Sequence, residues 1–184
     1  MEAILNSALL VFVSEMGDKT QLLSLVLVTR YGRPWLILLG VLIATLANHA
    51  LAAGAGDLMA KYVSDDVLRW VLGVTFLIFA AWILIPDEEG EVKNTSHMGV
   101  LMTTVISFFI AEMGDKTQLA TVALGAKYSS IFFVTLGSTV GMVGSNALAI
   151  FLGEGLLRKI PMKKMRIAAS FLFVLFGLAV LLGF

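Results

Sequence analysis

Six long apolar runs dominate the chain, and short segments that contain charged residues, proline or glycine separate them. A helix that crosses a lipid bilayer needs about 20 mostly apolar residues, and these runs are close to that length or longer. The pattern therefore predicts six transmembrane helices. Their predicted bounds are 4–28, 35–59, 68–86, 99–125, 130–153 and 167–184.

The second half of the chain repeats the first after a shift of 97 residues. The octapeptide Glu-Met-Gly-Asp-Lys-Thr-Gln-Leu occurs at 15–22 and again at 112–119, and Tyr31 falls on Tyr128. Each half holds three predicted helices, and because three is an odd number the second half must enter the membrane from the opposite side. This inverted-repeat plan is typical of many secondary transporters and supports alternating access.

We therefore expect an all-α polytopic membrane protein made of two inverted-topology three-helix repeats. The predicted segments are a first repeat over 1–86, an acidic cytoplasmic linker over 87–98 and a second repeat over 99–184. Hydrophobic residues make up 59% of the chain and charged residues 14%, which is not typical of a soluble core. The connections between the predicted helices are short and leave no room for an extramembrane domain.

Composition also excludes several kinds of chemistry. The chain has no cysteine, so disulfides, thiolate metal sites and thiol nucleophiles are excluded. Its 13 basic residues are balanced by 13 acidic ones, which leaves no basic face for nucleic acid. The expected partner is membrane lipid and not nucleic acid, and we expect the protein to act inside the bilayer.

Lysine and arginine are unequally distributed between the two predicted sides of the membrane. Because cytoplasmic loops carry an excess of these residues, the side with eight is predicted to be cytoplasmic, with both termini outside. The eight are Arg30, Arg33, Lys93, Arg158, Lys159, Lys163, Lys164 and Arg166, and the three on the other side are Lys61, Arg69 and Lys127.

Charged residues occur in the middle of two predicted helices, where they are costly. One charge at the bilayer centre costs about 2.5–3.5 kcal/mol on insertion scales, so such residues usually pair or bind ions. The two sets are Glu15, Asp18 and Lys19 in the first predicted helix, and Glu112, Asp115 and Lys116 in the fourth. On a continuous helix the members of each set would share one face, and Gln21 would extend it.

Each set has a formal charge of −1, so the two together match one divalent cation. Oxygen ligands select hard cations such as Ca²⁺, Mn²⁺ or Mg²⁺ over Zn²⁺ or Cu⁺. Gly17 and Gly114 weaken the helix and let its backbone open, which would add carbonyl oxygens. The predicted metal ligands are Glu15, Asp18, Glu112, Asp115, Gln21 and Gln118, supported by Gly17, Lys19, Thr20, Gly114, Lys116 and Thr117.

Other interpretations stay open at this point. Glu15 with Lys19, and Glu112 with Lys116, could form i,i+4 ion pairs that only lock the helices together. His49 in the second predicted helix is interpreted either as a proton relay or as a hydrogen-bonding partner of a neighbouring helix.

Two rival functions differ in class from transport. Two facing carboxylates could form the dyad of an intramembrane hydrolase, but a dyad does not need the whole triplet twice. The neighbouring lysines would also keep the carboxylates ionised. The chain is therefore predicted not to be an enzyme, whereas a passive cation channel cannot be distinguished from an exchanger by sequence.

In both copies, Glu-Met-Gly-Asp-Lys-Thr resembles the E-φ-G-D-K/R-T/S signature of the Golgi calcium/manganese transporter family, also called the Ca²⁺:cation antiporter-2 family. The likeness covers essentially the whole chain, and no motif position departs from the signature. The family's acidic residues fall on Glu15, Asp18, Glu112 and Asp115.

The resemblance implies a secondary transporter that exports Mn²⁺, with Ca²⁺ as the alternative, in exchange for protons. Small bacterial members of the family are manganese exporters of the MneA type, which implies a multi-pass protein of the inner (plasma) membrane. The metal ion would be the substrate, with no resident cofactor. The sequence leaves the counter-ion and homo-oligomer formation open.

Overall fold

The computed structural model describes residues 1–85, 99–157 and 161–183, and within these residues the chain is helical with no strand. The predicted linker over 87–98 and the basic residues Lys93, Arg158 and Lys159 lie outside the described residues. The eight helices are α1 (Glu2–Ser14), α2 (Lys19–Tyr31), α3 (Pro34–Ala60), α4 (Asp65–Trp82), α5 (Val100–Glu112), α6 (Lys116–Tyr128), α7 (Ile131–Leu157) and α8 (Met162–Leu182).

Three of the described helical segments are long and apolar enough to cross a membrane: Pro34–Ala60, Ile131–Gly153 and Lys163–Leu182. The apolar helices α1 and α5 have 13 residues each. At 1.5 Å per residue such a helix is about 20 Å long, less than the ~30 Å hydrocarbon core of a bilayer. The described residues are all helical and include three candidate membrane spans, as expected of a polytopic membrane protein, and the six-span inverted repeat stays a prediction.

The first and fourth predicted helices are each broken at their central glycine. α1 ends at Ser14 and α2 begins at Lys19, while α5 ends at Glu112 and α6 begins at Lys116. Within these breaks the φ angle is 83° at Gly17 and 78° at Gly114. Only glycine adopts this left-handed region without strain, so the predicted opening of the backbone is confirmed at both positions.

The breaks also correct one expectation. A continuous helix would have placed Glu15, Asp18 and Lys19 on one face, but Glu15 follows the last residue of α1 and Lys19 is the first residue of α2. The two ends of each motif therefore belong to different helices, and the i,i+4 relation between Glu15 and Lys19 is lost. The same holds for Glu112 and Lys116.

One face of the molecule carries the starts of α1 and α7 together with the end of α6. A Cβ on Gly137 would lie 2.4 Å from the carbonyl oxygen of Ile4, so α1 and α7 pack backbone to backbone near their first turns. Asn6 Nδ2 in α1 donates a hydrogen bond to Tyr128 Oη at the end of α6, at 2.6 Å. We call this the terminal face.

The opposite face carries the starts of α3 and α5 and the end of α7. The rings of Trp35 and Phe151 lie 4.9 Å apart between centroids, which joins the start of α3 to the end of α7. A Cβ on Gly40 of α3 would lie 2.7 Å from Thr104 Cβ of α5. We call this the linker face, because the chain leaves α4 and enters α5 on either side of the predicted linker.

Helices α4 and α8 pack against each other through phenylalanines. The Phe76 and Phe176 rings meet edge to face with centroids 4.9 Å apart. Lys127 of α6 lies 5.0 Å from the Phe176 ring centroid, which brings the end of α8 to the terminal face. A Cβ on Gly73 would contact Leu181 at 2.4 Å, so α4 runs antiparallel to α8 and ends toward the linker face.

Candidate metal centre

The two helix breaks meet in the interior of the protein. Glu15 and Glu112, which close α1 and α5, are both fully buried at 0% exposure. Thr117 Oγ1 of the second motif donates a hydrogen bond to Glu15 Oε1 of the first. The repeats are therefore joined at their predicted metal ligands, as the two identical motifs suggested.

Glu15 has a hydrogen-bond partner for each carboxylate oxygen. Thr20 Oγ1, in the first turn of α2, donates to Glu15 Oε2 at 2.6 Å. Thr117 Oγ1, in the first turn of α6, donates to the other oxygen, Oε1. Because hydrogen bonds to a charged acceptor are stronger than neutral ones, this pair of hydroxyls compensates much of the cost of burying the carboxylate.

Glu112 is in a different environment although its motif has the same sequence. Its two carboxylate oxygens are buried, and neither accepts a hydrogen bond from a residue that the structure describes. A buried carboxylate without a partner carries a large desolvation cost, which a bound cation or proton would relieve. Glu112 is therefore the motif residue whose oxygens are most available to an incoming ion.

The motif lysines do not form the local ion pairs considered from sequence. Lys19 Nζ lies 2.8 Å from Asp115 Oδ2, so its ion pair reaches across to the second repeat. Lys116 Nζ donates to the carbonyl oxygen of Ile85 at 2.9 Å. The alternative of two i,i+4 bridges is wrong, because the helix breaks separate each lysine from the glutamate four residues earlier.

Asp115 also shapes the start of its own helix. Its Oδ1 accepts a hydrogen bond from the Lys116 backbone N–H at 2.7 Å, while Oδ2 faces Lys19. A carboxylate at a helix N-terminus is favoured by the helix dipole. Asp18 occupies the same position before α2 and lines a small pocket together with Asp115.

This pocket lies on the linker-face side of the motifs. Besides the two aspartates it is lined by Thr117, by Ile83 just after α4 and by Arg166 in the first turns of α8. Its volume of about 10 Å³ accommodates one water-sized particle. A small cation that has lost its hydration shell fits such a space.

The glutamines hold the helix breaks open. Gln21 Oε1 accepts a hydrogen bond from the Gly17 N–H at 2.8 Å, and Gln118 Oε1 accepts one from the Gly114 N–H at 2.7 Å. Each bond satisfies an amide that the break frees from helical bonding. The amide oxygens predicted as metal ligands are thus already engaged by the backbone in this conformation.

Two polar residues in the long helices anchor these glutamines, and neither was predicted as a site residue. Gln21 Nε2 donates to the Ser145 carbonyl oxygen and hydroxyl, both at 2.8 Å. Gln118 Nε2 lies 3.4 Å from Asn48 Oδ1. A sequence signal existed, because Asn48 and Ser145 are equivalent after the shift of 97 residues and both interrupt apolar runs.

His49 is fully buried, and neither ring nitrogen has a hydrogen-bond partner among the described residues. Its repeat equivalent, Asn146, accepts a hydrogen bond from Ser24 Oγ at 2.7 Å. The imidazole thus does not make the bond to a neighbouring helix that was one interpretation. Its role as a proton relay stays a prediction.

The described residues do not form a ready-made metal shell. Nowhere in 1–85, 99–157 and 161–183 do three or more acidic or histidine side chains gather in the way a metal ion requires. Two of the motif carboxylates are instead held by other side chains, Glu15 by Thr20 and Thr117 and Asp115 by Lys19. Binding a divalent cation would require these contacts to rearrange.

Comparison with known proteins places the chain among cation transporters. A profile of the family described as "Divalent cation/proton antiporter GDT1" matches residues 3–91 and 100–183. A protein of Vibrio cholerae for which manganese export is proposed is 44% identical over 180 residues, covering 97% of this chain and 90% of that protein. No solved structure matches.

More distant relatives cover the chain equally well. A GDT1-like protein of Synechocystis is 26% identical over 199 residues, which is 96% of this chain and 95% of the relative. GDT1-like protein 5 of Arabidopsis thaliana is 25% identical over 221 residues, which is 99% of this chain and 96% of the relative.

Proposed function

Because the chain belongs to the divalent cation/proton antiporter GDT1 family, we propose that it exports divalent cations, Mn²⁺ in preference to Ca²⁺, in exchange for protons. Members of the family are transporters, so the prediction that the chain is not an enzyme is confirmed. The similarity to a bacterial protein with proposed manganese export supports Mn²⁺ as substrate and the plasma membrane as location.

One observation carries the proposal: two fully buried glutamates, one from each motif, lie at helix breaks that contact each other through Thr117. Ionisable residues buried inside membrane helices usually mark an ion path. Broken helices at the interface of two repeats are the usual place for substrate and coupling ions in secondary transporters. The ligands that this centre offers are oxygens, which suit Mn²⁺ and Ca²⁺.

The six-span inverted repeat is part of the same proposal. In it, α1 with α2 and α5 with α6 each form one broken transmembrane helix, and α3, α4, α7 and α8 form the others. The terminal-face contact between the starts of α1 and α7 and the linker-face contact between the starts of α3 and α5 support this arrangement. Equivalent helices of the two repeats then begin on opposite faces.

Charge distribution supports an orientation with the linker face in the cytoplasm. The described basic residues near this face are Arg30, Arg33, Lys163, Lys164 and Arg166, and those near the terminal face are Lys61, Arg69 and Lys127. By the positive-inside rule both termini are outside. The pocket at the motifs then receives its ion from the cytoplasm, as export requires.

Transport of Mn²⁺ and Ca²⁺ by proteoliposomes tests the proposal. An acidic vesicle interior should drive accumulation of Mn²⁺ inside, and accumulation should be faster for Mn²⁺ than for Ca²⁺. A sodium gradient of equal size should have no effect. Asp66→Asn is the matched control, because Asp66 is an exposed carboxylate outside the motifs and its loss should not change the flux.

Two outcomes would contradict exchange with protons. Mn²⁺ flux that is the same with and without any counter-ion gradient would indicate a passive channel. Accumulation driven only by a sodium gradient would identify Na⁺ as the coupling ion.

A further inference from the structure

The lysines of the two identical motifs make different contacts. Lys19 Nζ lies 2.8 Å from Asp115 Oδ2, which joins α2 to the second repeat. Lys116, the equivalent of Lys19, donates to the Ile85 carbonyl oxygen at 2.9 Å. The shift that relates the repeats places Asp18 where Asp115 stands, so the counterpart of the observed ion pair would join Lys116 to Asp18.

The packing of equivalent helix ends also differs between the two repeats. A Cβ on Gly56, near the end of α3, would lie 2.0 Å from the Val122 carbonyl oxygen of α6, whereas a Cβ on the equivalent Gly153, where φ is 70°, would meet no atom of the described residues within 4 Å. Ala126 beside Gly56 is 4% exposed, but its equivalent, Thr29, is exposed. Among the described residues, α6 thus packs closely against the end of α3 at the terminal face, whereas its equivalent α2 packs less closely against the end of α7 at the linker face.

We propose that the two lysines are positioning residues that act alternately. Lys19 holds Asp115 in the conformation closed at the terminal face, and Lys116 holds Asp18 in the conformation closed at the linker face. This inference rests on the alternating-access transport proposed above, and it assigns to each lysine one half of the cycle.

The observed ion pair has the properties that an exchangeable contact needs. The Lys19 side chain is 22% exposed and that of Asp115 is 6% exposed, so the ammonium can leave toward water without becoming a fully buried unpaired charge. Lysine carries a compact charge on a flexible stem. A divalent cation that binds the Asp115 carboxylate must displace the ammonium, so Lys19 is a tethered competitor of the substrate.

Cysteine labelling measures the balance between the two conformations. The chain has no cysteine, so Ala126→Cys and Thr29→Cys are single reporters at equivalent positions of the two repeats. Each is labelled with a water-soluble maleimide in lipid nanodiscs, where both faces are accessible. Lys19→Gln should raise the labelling rate at position 126 at least about fivefold and lower it at position 29. Lys116→Gln should lower the rate at position 126.

Charge-conserving variants are the matched controls. Lys19→Arg and Lys116→Arg should return the labelling rates toward those of the unsubstituted reporters, because either side chain can still pair with an aspartate. The double variant Lys19→Gln/Lys116→Gln should also give labelling rates near those of the unsubstituted reporters, because it weakens both conformations. Neither result follows if the lysines only stabilise the fold.

Changes of the same sign for Lys19→Gln and Lys116→Gln at one reporter would overturn the inference, since a purely structural role loosens the protein in both variants. The proposed function is tested separately by the proton-driven Mn²⁺ flux of the wild-type chain. Absent flux with opposite labelling changes would refute the function but support the lysine exchange. Normal flux with labelling changes of the same sign would support the proposed function but refute the lysine exchange.

Discussion

The two copies of one octapeptide end in unequal surroundings. Glu15 is held by two threonine hydroxyls, whereas both buried oxygens of Glu112 lack a hydrogen-bond partner among the described residues. The two motifs have the same residues, but in this conformation only one of the two glutamates has hydrogen-bond donors for its oxygens among the described residues. In a transporter this inequality is expected, because the site must be accessible from one side at a time.

The helix breaks around the two glutamates differ as well. The first is enclosed, with Met16 at 6% exposure and Gln21 bonded to Ser145 of α7. The second is more open, since Met113 is 64% exposed and Gln118 Nε2 lies 3.4 Å from Asn48 Oδ1 of α3, which is a long contact. The first motif is therefore the anchored one in this conformation, and the second has more freedom to move.

Replacing the glutamates should have the largest effect. Glu15→Gln and Glu112→Gln should each reduce Mn²⁺ exchange more than about 100-fold, since even the loss of residues behind the ligands reduces metal affinity up to that much. Their effects on stability should differ. Thermal unfolding should show a loss for Glu15→Gln, which removes one of the two acceptor oxygens and makes the other a neutral acceptor, and no loss for Glu112→Gln.

Asp66→Asn serves as the control for both measurements, because it removes an exposed carboxylate at the terminal face. Equal destabilisation by Glu15→Gln and Glu112→Gln would show that the unequal surroundings of the two glutamates have no energetic consequence. Retained exchange in either variant would contradict a shared metal centre.

The sequence predicts the residues of this centre better than it predicts which of them contact each other. Gly17 and Gly114 mark the helix breaks because the flexibility of glycine is a local property, and the repeat identifies the carboxylates. The partner of Lys19 is a residue of the other repeat, so local spacing could not reveal it. The sequence also does not show that the two glutamine amide oxygens accept hydrogen bonds from Gly17 and Gly114, since an amide oxygen suits a backbone N–H as well as a metal ion.

The inequality between Glu15 and Glu112 could not be predicted at all, since the same seven residues follow each glutamate in sequence. It arises from packing of the two halves against each other, which is a property of the conformation. For the same reason, the sequence predicts the spans that contain the long helices α3, α7 and α8. It does not predict where the two broken helices meet.

Removing the hydroxyl that crosses between repeats should have an intermediate effect. Thr117→Val keeps the shape of the side chain but deletes the donor to Glu15, and should reduce Mn²⁺ exchange about tenfold, the equivalent of one hydrogen bond to a charged group. Thr117→Ser, which keeps the hydroxyl, should restore most of the flux.

Thr121→Val is the matched control, because the Thr121 hydroxyl donates to the carbonyl oxygen of Thr117 in its own helix. Its flux should stay within about twofold of the wild type, since such a bond within a helix contributes little. Equal effects of Thr117→Val and Thr121→Val would remove the distinction between the crossing hydroxyl and a hydroxyl that is merely buried.

The smallest expected effect concerns the glutamines that hold the breaks. Gln21→Met deletes the bonds to Gly17, to the Ser145 carbonyl and to the Ser145 hydroxyl, whereas Gln118→Met deletes the bond to Gly114 and a long contact with Asn48. Both substitutions keep the length of the side chain, and each removes the hydrogen-bond acceptor of one glycine N–H. They differ in what anchors the break to the neighbouring long helix.

Thermal unfolding in the same detergent should therefore show that Gln21→Met is less stable than Gln118→Met by about 1 kcal/mol, which is the net contribution of an ordinary hydrogen bond. Gln21 is 1% exposed, so water cannot easily replace its bonds, while the bond from the Gly114 N–H to Gln118 is exposed and can be exchanged for one to water. Equal losses would mean that the two breaks are anchored alike, and the first motif would then be no more fixed than the second.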